Sequence, residues 1–250
     1  MKALITGASS GLGRDMAREL AARGYDLILV ARREDRLRLL AAELPVRTEI
    51  ICADLADAGA VYDLHARVRG EDVAAVVNNA GFGLFGAFSE TDLDAELRML
   101  DVNCRAVHIL TKLFLRDFKA QNRGCILNVA SSAGFMAGPL MATYYATKNY
   151  VLRLTQAIRE EVRQAGSAVK VSALCPGPVN TEFNQVAHVR FASRGLDSRR
   201  VAAYAVDGML RGRGVMVPGA EMKAVLALRR FAPETLVTRI AYHIQHRKNG

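Results

Sequence analysis

The chain has 250 residues, 51% hydrophobic and 24% charged, which is enough apolar material for one domain-sized core and excludes a disordered or collagen-like polymer. No apolar run approaches the roughly eighteen residues of a membrane span, and no cleavable leader precedes the first apolar run, so a soluble, cytoplasmic protein is expected. The formal charge of +9 calls for an anionic partner, whether nucleic acid, a phosphorylated ligand or a membrane surface.

Along the chain, apolar β-branched runs alternate with segments of helical period. The strand candidates are Ala3–Thr6, Leu27–Ala31, Thr48–Cys52, Ala74–Val77, Cys125–Ala130, Val169–Cys175 and Val215–Val217. Between them, segments such as Leu12–Arg23 and Asp35–Glu43 carry leucines and alanines every three or four residues. Such alternation predicts a doubly wound α/β fold, a seven-stranded and mostly parallel sheet with helices on both faces. Linkers and repeats are not evident, so a single domain is expected.

The first strand runs into Thr6-Gly7-Ala8-Ser9-Ser10-Gly11-Leu12-Gly13. In this turn Gly7 permits a tight bend and Gly11 lets backbone N–H groups reach a pyrophosphate. Gly13 allows close packing of helix on strand, and the helix N-terminus favours the phosphate charge. The second strand ends in Val30-Ala31-Arg32-Arg33, with no Asp or Glu to accept from the ribose 2′-hydroxyl of NAD. Guanidinium groups there match a 2′-phosphate in charge and fork geometry, so NADP(H) is favoured over NAD(H). The competing reading is a solvated start to a helix that also holds Arg36 and Arg38.

Further on, Ser131 lies just past the carboxyl end of the fifth strand, where open α/β sheets bind their ligands. Its hydroxyl can hold a carbonyl oxygen. Thirteen residues later comes Tyr144-Tyr145-Ala146-Thr147-Lys148, in which Tyr144 and Lys148 share one helix face. Free tyrosine and lysine titrate near pH ~10. An ammonium beside Tyr144 would favour the phenolate and lower its pKa.

These segments together resemble the short-chain dehydrogenase/reductase family, in its 250-residue branch. The matches are the Thr6–Gly13 turn, Asp54-Leu55, Asn78-Asn79-Ala80-Gly81, Asn103 in a long helix, Ser131, Tyr144, Lys148 and Pro176-Gly177-Pro178-Val179-Asn180-Thr181. The resemblance implies a Rossmann-like domain in which Tyr144 is general acid in reduction and base in oxidation. It also implies that Lys148 binds the nicotinamide ribose and lowers the tyrosine pKa, that Ser131 orients the substrate oxygen, and that Asn103 holds a water linking Lys148 to solvent. The cofactor would lie on Gly7, Ser9, Gly11, Leu12 and Gly13, with Asp54 and Leu55 at the adenine and Asn79 near the adenosine ribose. Val179 and Thr181 would meet the nicotinamide end. The family spacing selects Tyr144 over Tyr145 and Ser131 over Ser132. Many NADPH-using relatives carry a base where this chain has Ser10, so 2′-phosphate recognition falls to Arg32, with Arg33 beside it.

The expected activity is therefore an NADP(H)-dependent interconversion of carbonyl and alcohol on an apolar small molecule, of the alcohol dehydrogenase or carbonyl reductase type. Residues 182–212 are expected to form a substrate loop or lid, with Phe183, Val186, Val189 and Phe191 as lining candidates beside Phe82, Leu84, Phe85 and Phe135. Apolar residues on more than one face of the helices of Asn103 and Tyr144 (Ala106, Leu110, Leu113, Phe114; Val151, Leu152, Leu154, Ile158) predict a homodimer or homotetramer, unless the subunit's own core buries them.

Residues 219–250 read as a basic helical extension. Eight bases stand against two acids in residues 211–250, a local balance of +6. The Leu236, Ile240, Ile244 stripe there suits packing onto the body or peripheral membrane contact. The first 210 residues are near charge balance and lack a basic stripe interleaved with aromatics, which argues against nucleic acid. The four cysteines show no metal-site spacing and are expected to be free and buried. A non-catalytic NADP(H)-sensing scaffold, or a membrane-peripheral interaction protein on the same fold, is the alternative. Neither has a chemical need for Asn103, Ser131, Tyr144 and Lys148 together.

Overall fold

The computed structural model describes residues 1–183 and 195–246. Of the expected lining residues, Val186, Val189 and Phe191 lie outside the described residues, as do Arg247 and Lys248 of the tail. Seven strands, β1 (Lys2–Thr6), β2 (Asp26–Ala31), β3 (Thr48–Cys52), β4 (Val73–Asn78), β5 (Cys125–Val129), β6 (Lys170–Leu174) and β7 (Val215–Met216), form one sheet in the order β3-β2-β1-β4-β5-β6-β7. Every pairing is parallel, so the sheet is wholly rather than mostly parallel.

The helices are α1 (Gly11–Ala21), α2 (Glu34–Glu43), α3 (Ala58–Val68), α4 (Leu93–Leu100), α5 (Val107–Gln121), α6 (Ala142–Gln164), α7 (Ser198–Leu210), α8 (Ala220–Leu228) and α9 (Glu234–His246). Successive strand residues point to opposite layers. Ala3 and Ile5 of β1 pack with α1, α2 and α7, whereas Leu4 packs with α3, α5 and α6. Because both faces are covered, the strands read as unbroken apolar runs instead of alternating ones. This is a Rossmann-like single domain. Its strand order reverses between β1 and β4, which opens a crevice at their carboxyl ends.

Three features depart from the periodicity. The long helix around Asn103 is interrupted by a π-helical turn, Asp101–Ala106, between α4 and α5. Part of the 182–212 span expected to cover the substrate is α7, whose Val201, Ala202, Ala205, Val206 and Met209 are core residues. All four cysteines are free, but Cys52 is exposed, since it ends the edge strand β3. Among the described residues no helix is long and apolar enough to cross a membrane, and no cluster of ligating side chains suits a metal ion.

A buried polar network fixes the helices on the sheet below the crevice. Asn78 Nδ2 donates to Asn128 Oδ1 at 2.8 Å, Thr111 Oγ1 donates to the same oxygen at 3.1 Å, and Asn128 Nδ2 donates to Thr155 Oγ1 at 2.9 Å. These bonds tie β4 to β5, and β5 to α5 and α6. Left unpaired, each such group would cost on the order of 1–3 kcal/mol.

Candidate active site

A cleft of about 580 Å³ opens along the carboxyl ends of the strands. It is lined by Gly7, Ser9, Gly11 and Leu12 of the first turn, by Arg32, Asp54, Leu55 and Asn79, and by Ser131, Tyr144, Lys148, Val179 and Thr181. Thirteen sequence-selected residues thus line one cleft. Two others stand behind it. Gly13 is not at the surface of the cleft; a Cβ there would sit 2.3 Å from the Gly7 carbonyl oxygen. Asn103 is fully buried. Its Nδ2 donates to Phe82 O at 2.9 Å and Thr147 Oγ1 at 3.1 Å, and its Oδ1 accepts from Phe82 N at 3.1 Å.

One end of the cleft is built to meet an anion. Gly7 takes a φ of +66°, where a Cβ would lie 2.8 Å from Asn79 Nδ2, so only glycine fits this turn. The turn delivers the chain to the N-terminus of α1, which has no side-chain cap and no acid in its first turn. Free N–H groups and the positive end of the helix dipole therefore face the cleft. Asn79 is held behind the turn, its Nδ2 donating to Thr6 O at 3.0 Å. This arrangement fits the phosphates of a dinucleotide.

Beside it, the two arginines after β2 behave differently. Arg33 donates to Ser9 Oγ at 3.1 Å and to Glu182 Oε2 at 3.1 Å, and Arg36 also pairs with Glu182. Burial pushes the Glu182 carboxyl up, but the Arg36 and Arg33 bonds outweigh this and hold it below the usual carboxylate range. Arg32 lines the cleft, exposed, with no hydrogen bond or ion pair among the described residues. Opposite it, Asp54 accepts from Ala56 N at 3.1 Å and pairs with Arg98. Burial raises the Asp54 carboxyl, and those two donors, with the charges of Arg98 and Arg32, more than reverse it. Arg98, on α4, lines the cleft too. No spacing rule marks it, because it is one of many bases on amphipathic helices.

At the other end, α6 brings Tyr144 and Lys148 against the tip of β5. Lys148 Nζ donates to Val129 O at 2.9 Å and lies 5.9 Å from the Tyr144 ring centroid. Ser131 caps the short turn after β5 by accepting from Ala133 N at 3.1 Å and stands near enough to the Tyr144 hydroxyl to favour its ionised form. Burial drives the Tyr144 phenol well above its ordinary range; Ser131 opposes that and Tyr145 adds to it. Burial likewise lowers Lys148 to about 8. At neutral pH the pair is thus a protonated phenol beside a cation, and the expected depression of the tyrosine pKa is not present in this state.

Apolar side chains surround this end. Phe82, Met136, Met141 and Phe183 line it, and Phe183 meets Tyr144 at 5.3 Å between ring centroids. Leu84 and Phe85 pack beside these residues without lining the cleft, while Phe135 belongs to a separate cluster with Val151 and Leu152. Three further contributors were not visible in the sequence. Met222 and Val225 of α8 line the mouth. Tyr145, set aside as a proton donor, lines it as well, and its hydroxyl accepts from Gln245 Nε2 of α9 at 3.0 Å. The contact spans a hundred residues of chain and has no local signature.

The short chain dehydrogenase family model matches residues 1–189. The chain belongs to that family of oxidoreductases. It is similar to a very-long-chain 3-oxoacyl-CoA reductase of Anas platyrhynchos, 28% identical over 90% of this chain and 75% of the relative. Among solved structures, a short-chain dehydrogenase from Sphingobium yanoikuyae in complex with NADPH superposes with a TM-score of 0.82 at 31% identity, covering 92% of this chain and 93% of that one. A second, from Burkholderia phymatum in complex with NAD, gives 0.83 at 26% identity over 91% and 92% of the two chains. A nicotinamide nucleotide cofactor accords with both these neighbours and the cleft.

Proposed function

We propose that the protein reduces the carbonyl of an apolar small molecule to an alcohol with NADPH, and catalyses the reverse oxidation. The observation that carries this reading is the Ser131–Tyr144–Lys148 group at the apolar end of a cleft whose far end presents an uncapped helix N-terminus and an exposed arginine, Arg32. When bound, the nicotinamide supplies the hydride. Gly7, Ser9, Gly11 and Leu12 would hold its pyrophosphate, Arg32 the 2′-phosphate, Asp54, Leu55 and Asn79 the adenosine, and Val179, Thr181 and Lys148 the nicotinamide riboside. Gly13 acts from behind by seating α1 on the turn.

The proton comes from this chain. Ser131 donates to the substrate oxygen and orients it, and Tyr144 delivers its proton to that oxygen as charge develops there. Burial keeps Tyr144 protonated until that moment, and the Lys148 ammonium then stabilises the phenolate. Asn103 positions Lys148 indirectly, by bracing Thr147 and the Phe82 loop. An apolar substrate suits Phe82, Met141 and Phe183, and the very long acyl chain named for the Anas platyrhynchos relative is apolar too, although its coenzyme A end is charged. A non-catalytic scaffold would not need a proton donor held this way.

Two further readings accompany the first. Leu100 and Tyr150 are 40% and 41% exposed around a shallow hollow between the π turn and α6, Leu97, one turn earlier on α4, is 48% exposed, and this face supports a homodimer. Ala106, Leu110, Phe114, Val151 and Leu152, by contrast, are buried within the subunit. Free cysteines and an NADPH-dependent reaction accord with a reducing, cytoplasmic setting.

Tyr144→Phe tests the proton donor. We expect the reductive kcat to fall by about 10²–10⁴ while NADPH binding, followed by fluorescence titration, stays near wild type. Undiminished turnover would remove Tyr144 from the mechanism.

A further inference from the structure

The C-terminal helices carry apolar surface and positive charge that the cleft does not use. Only Glu221 and Lys223 among the nine residues of α8 are polar, yet none of the nine is buried. A helix this short draws its stability from covering an apolar face, so α8 lacks most of its cover. Leu228, its last residue, is 69% exposed, and Phe231 at the corner after it is 88% exposed. Along α9, Ala241 and Gln245 turn inward, while Leu236, Ile240 and Ile244 form a half-exposed stripe on the flank. Arg239 and His243 fall on the crest beside that stripe, and Lys223 stands on α8; neither Lys223 nor Arg239 has an ion-pair partner among the described residues.

Charge decides what covers this surface. Residues 220–248 hold six bases, Lys223, Arg229, Arg230, Arg239, Arg247 and Lys248, against two acids, Glu221 and Glu234, and Glu234 is already paired with Arg229 at 2.6 Å. A second copy of the chain would set like charge against like charge. An anionic phospholipid surface complements both the bases and the apolar side chains.

We propose that α8, the Arg229–Phe231 turn and α9 dock the protein on an anionic lipid bilayer, with Leu228 and Phe231 entering the acyl boundary. Because Met222 and Val225 of the same helix line the cleft mouth, an apolar substrate enters from the lipid side without crossing water. That last step rests on the proposed reductase activity; the docking does not.

The test is sedimentation of the full chain with phosphatidylcholine vesicles, with and without phosphatidylserine. The wild type is expected to pellet only with phosphatidylserine present, less so at high salt, because screening weakens the attraction. The doubly substituted Leu228→Ser, Phe231→Ser chain should lose about tenfold or more in vesicle partitioning while keeping its melting temperature and cofactor binding. Lys223→Glu with Arg239→Glu should lose binding to the anionic vesicles as well. A wild type that stays in the supernatant, or variants that pellet equally well, overturns the proposal. So does a serine variant that turns from dimer to monomer with vesicle binding intact, since a second copy would then be the cover. Vesicle binding without any carbonyl turnover would remove the lipid-side entry and leave the docking standing.

Discussion

Tyr144 and Lys148 have been displaced in opposite directions by the same burial, the phenol upward and the ammonium down to about 8. Below that value Lys148 is charged and can stabilise a developing phenolate; above it the cation is lost. The reductive kcat is therefore expected to fall as pH rises through about 8, and Lys148→Met should be slow and flat over the same range. A pH–rate profile of both proteins checks this. Arg32 offers a second test at this scale, because Arg33 is already engaged by Ser9 and Glu182. Arg32→Ala should raise the KM for NADPH by about tenfold to a hundredfold, as loss of a charged hydrogen bond does, and leave that for NADH nearly unchanged. Equal effects on both cofactors would place the 2′-phosphate elsewhere.

Among the elements, those with strong local signals were legible in advance. The seven strands fall within a residue or two of their apolar runs, and the Thr6–Gly13 turn sits where its glycines demand. The π turn at Asp101–Ala106 was not, since its apolar spacing continues that of the helices on either side. It carries Asn103, which brackets the Phe82 backbone, and such turns are frequent at functional sites. The Asn78–Asn128–Thr155 network was equally silent, because hydrogen bonds across a sheet leave no period. Asn128→Ala should lower stability by about 1–3 kcal/mol, read as an earlier denaturation midpoint. The α9 contact with Tyr145 predicts a different outcome. Gln245→Ala should raise the KM for a bulky ketone about twofold to tenfold and leave kcat largely intact, because it loosens a wall rather than the proton donor.

Across the whole molecule, the carboxyl ends of one sheet and the helix α6 line the cleft with the residues proposed for cofactor and catalysis, and α8 adds Met222 and Val225 to its lining. The lining of the cleft was legible where motifs mark it, from the Thr6–Gly13 turn to Val179 and Thr181. Its substrate end was not, because Met222, Val225 and Tyr145 meet only when the chain's last helices fold back. The charge divides similarly: a small share faces the cleft at Arg32 and Arg98, and residues 220–248 hold six bases against two acids. The central claim is NADPH-driven reduction of an apolar ketone with Tyr144 as proton donor. Its most direct measurement is the loss of reduced-nicotinamide absorbance when the wild-type chain meets a panel of apolar ketones with NADPH or NADH. Turnover with NADPH that exceeds turnover with NADH, and vanishes in Tyr144→Phe, is the predicted result. Turnover with neither cofactor across the panel, or turnover that survives in Tyr144→Phe, would contradict it.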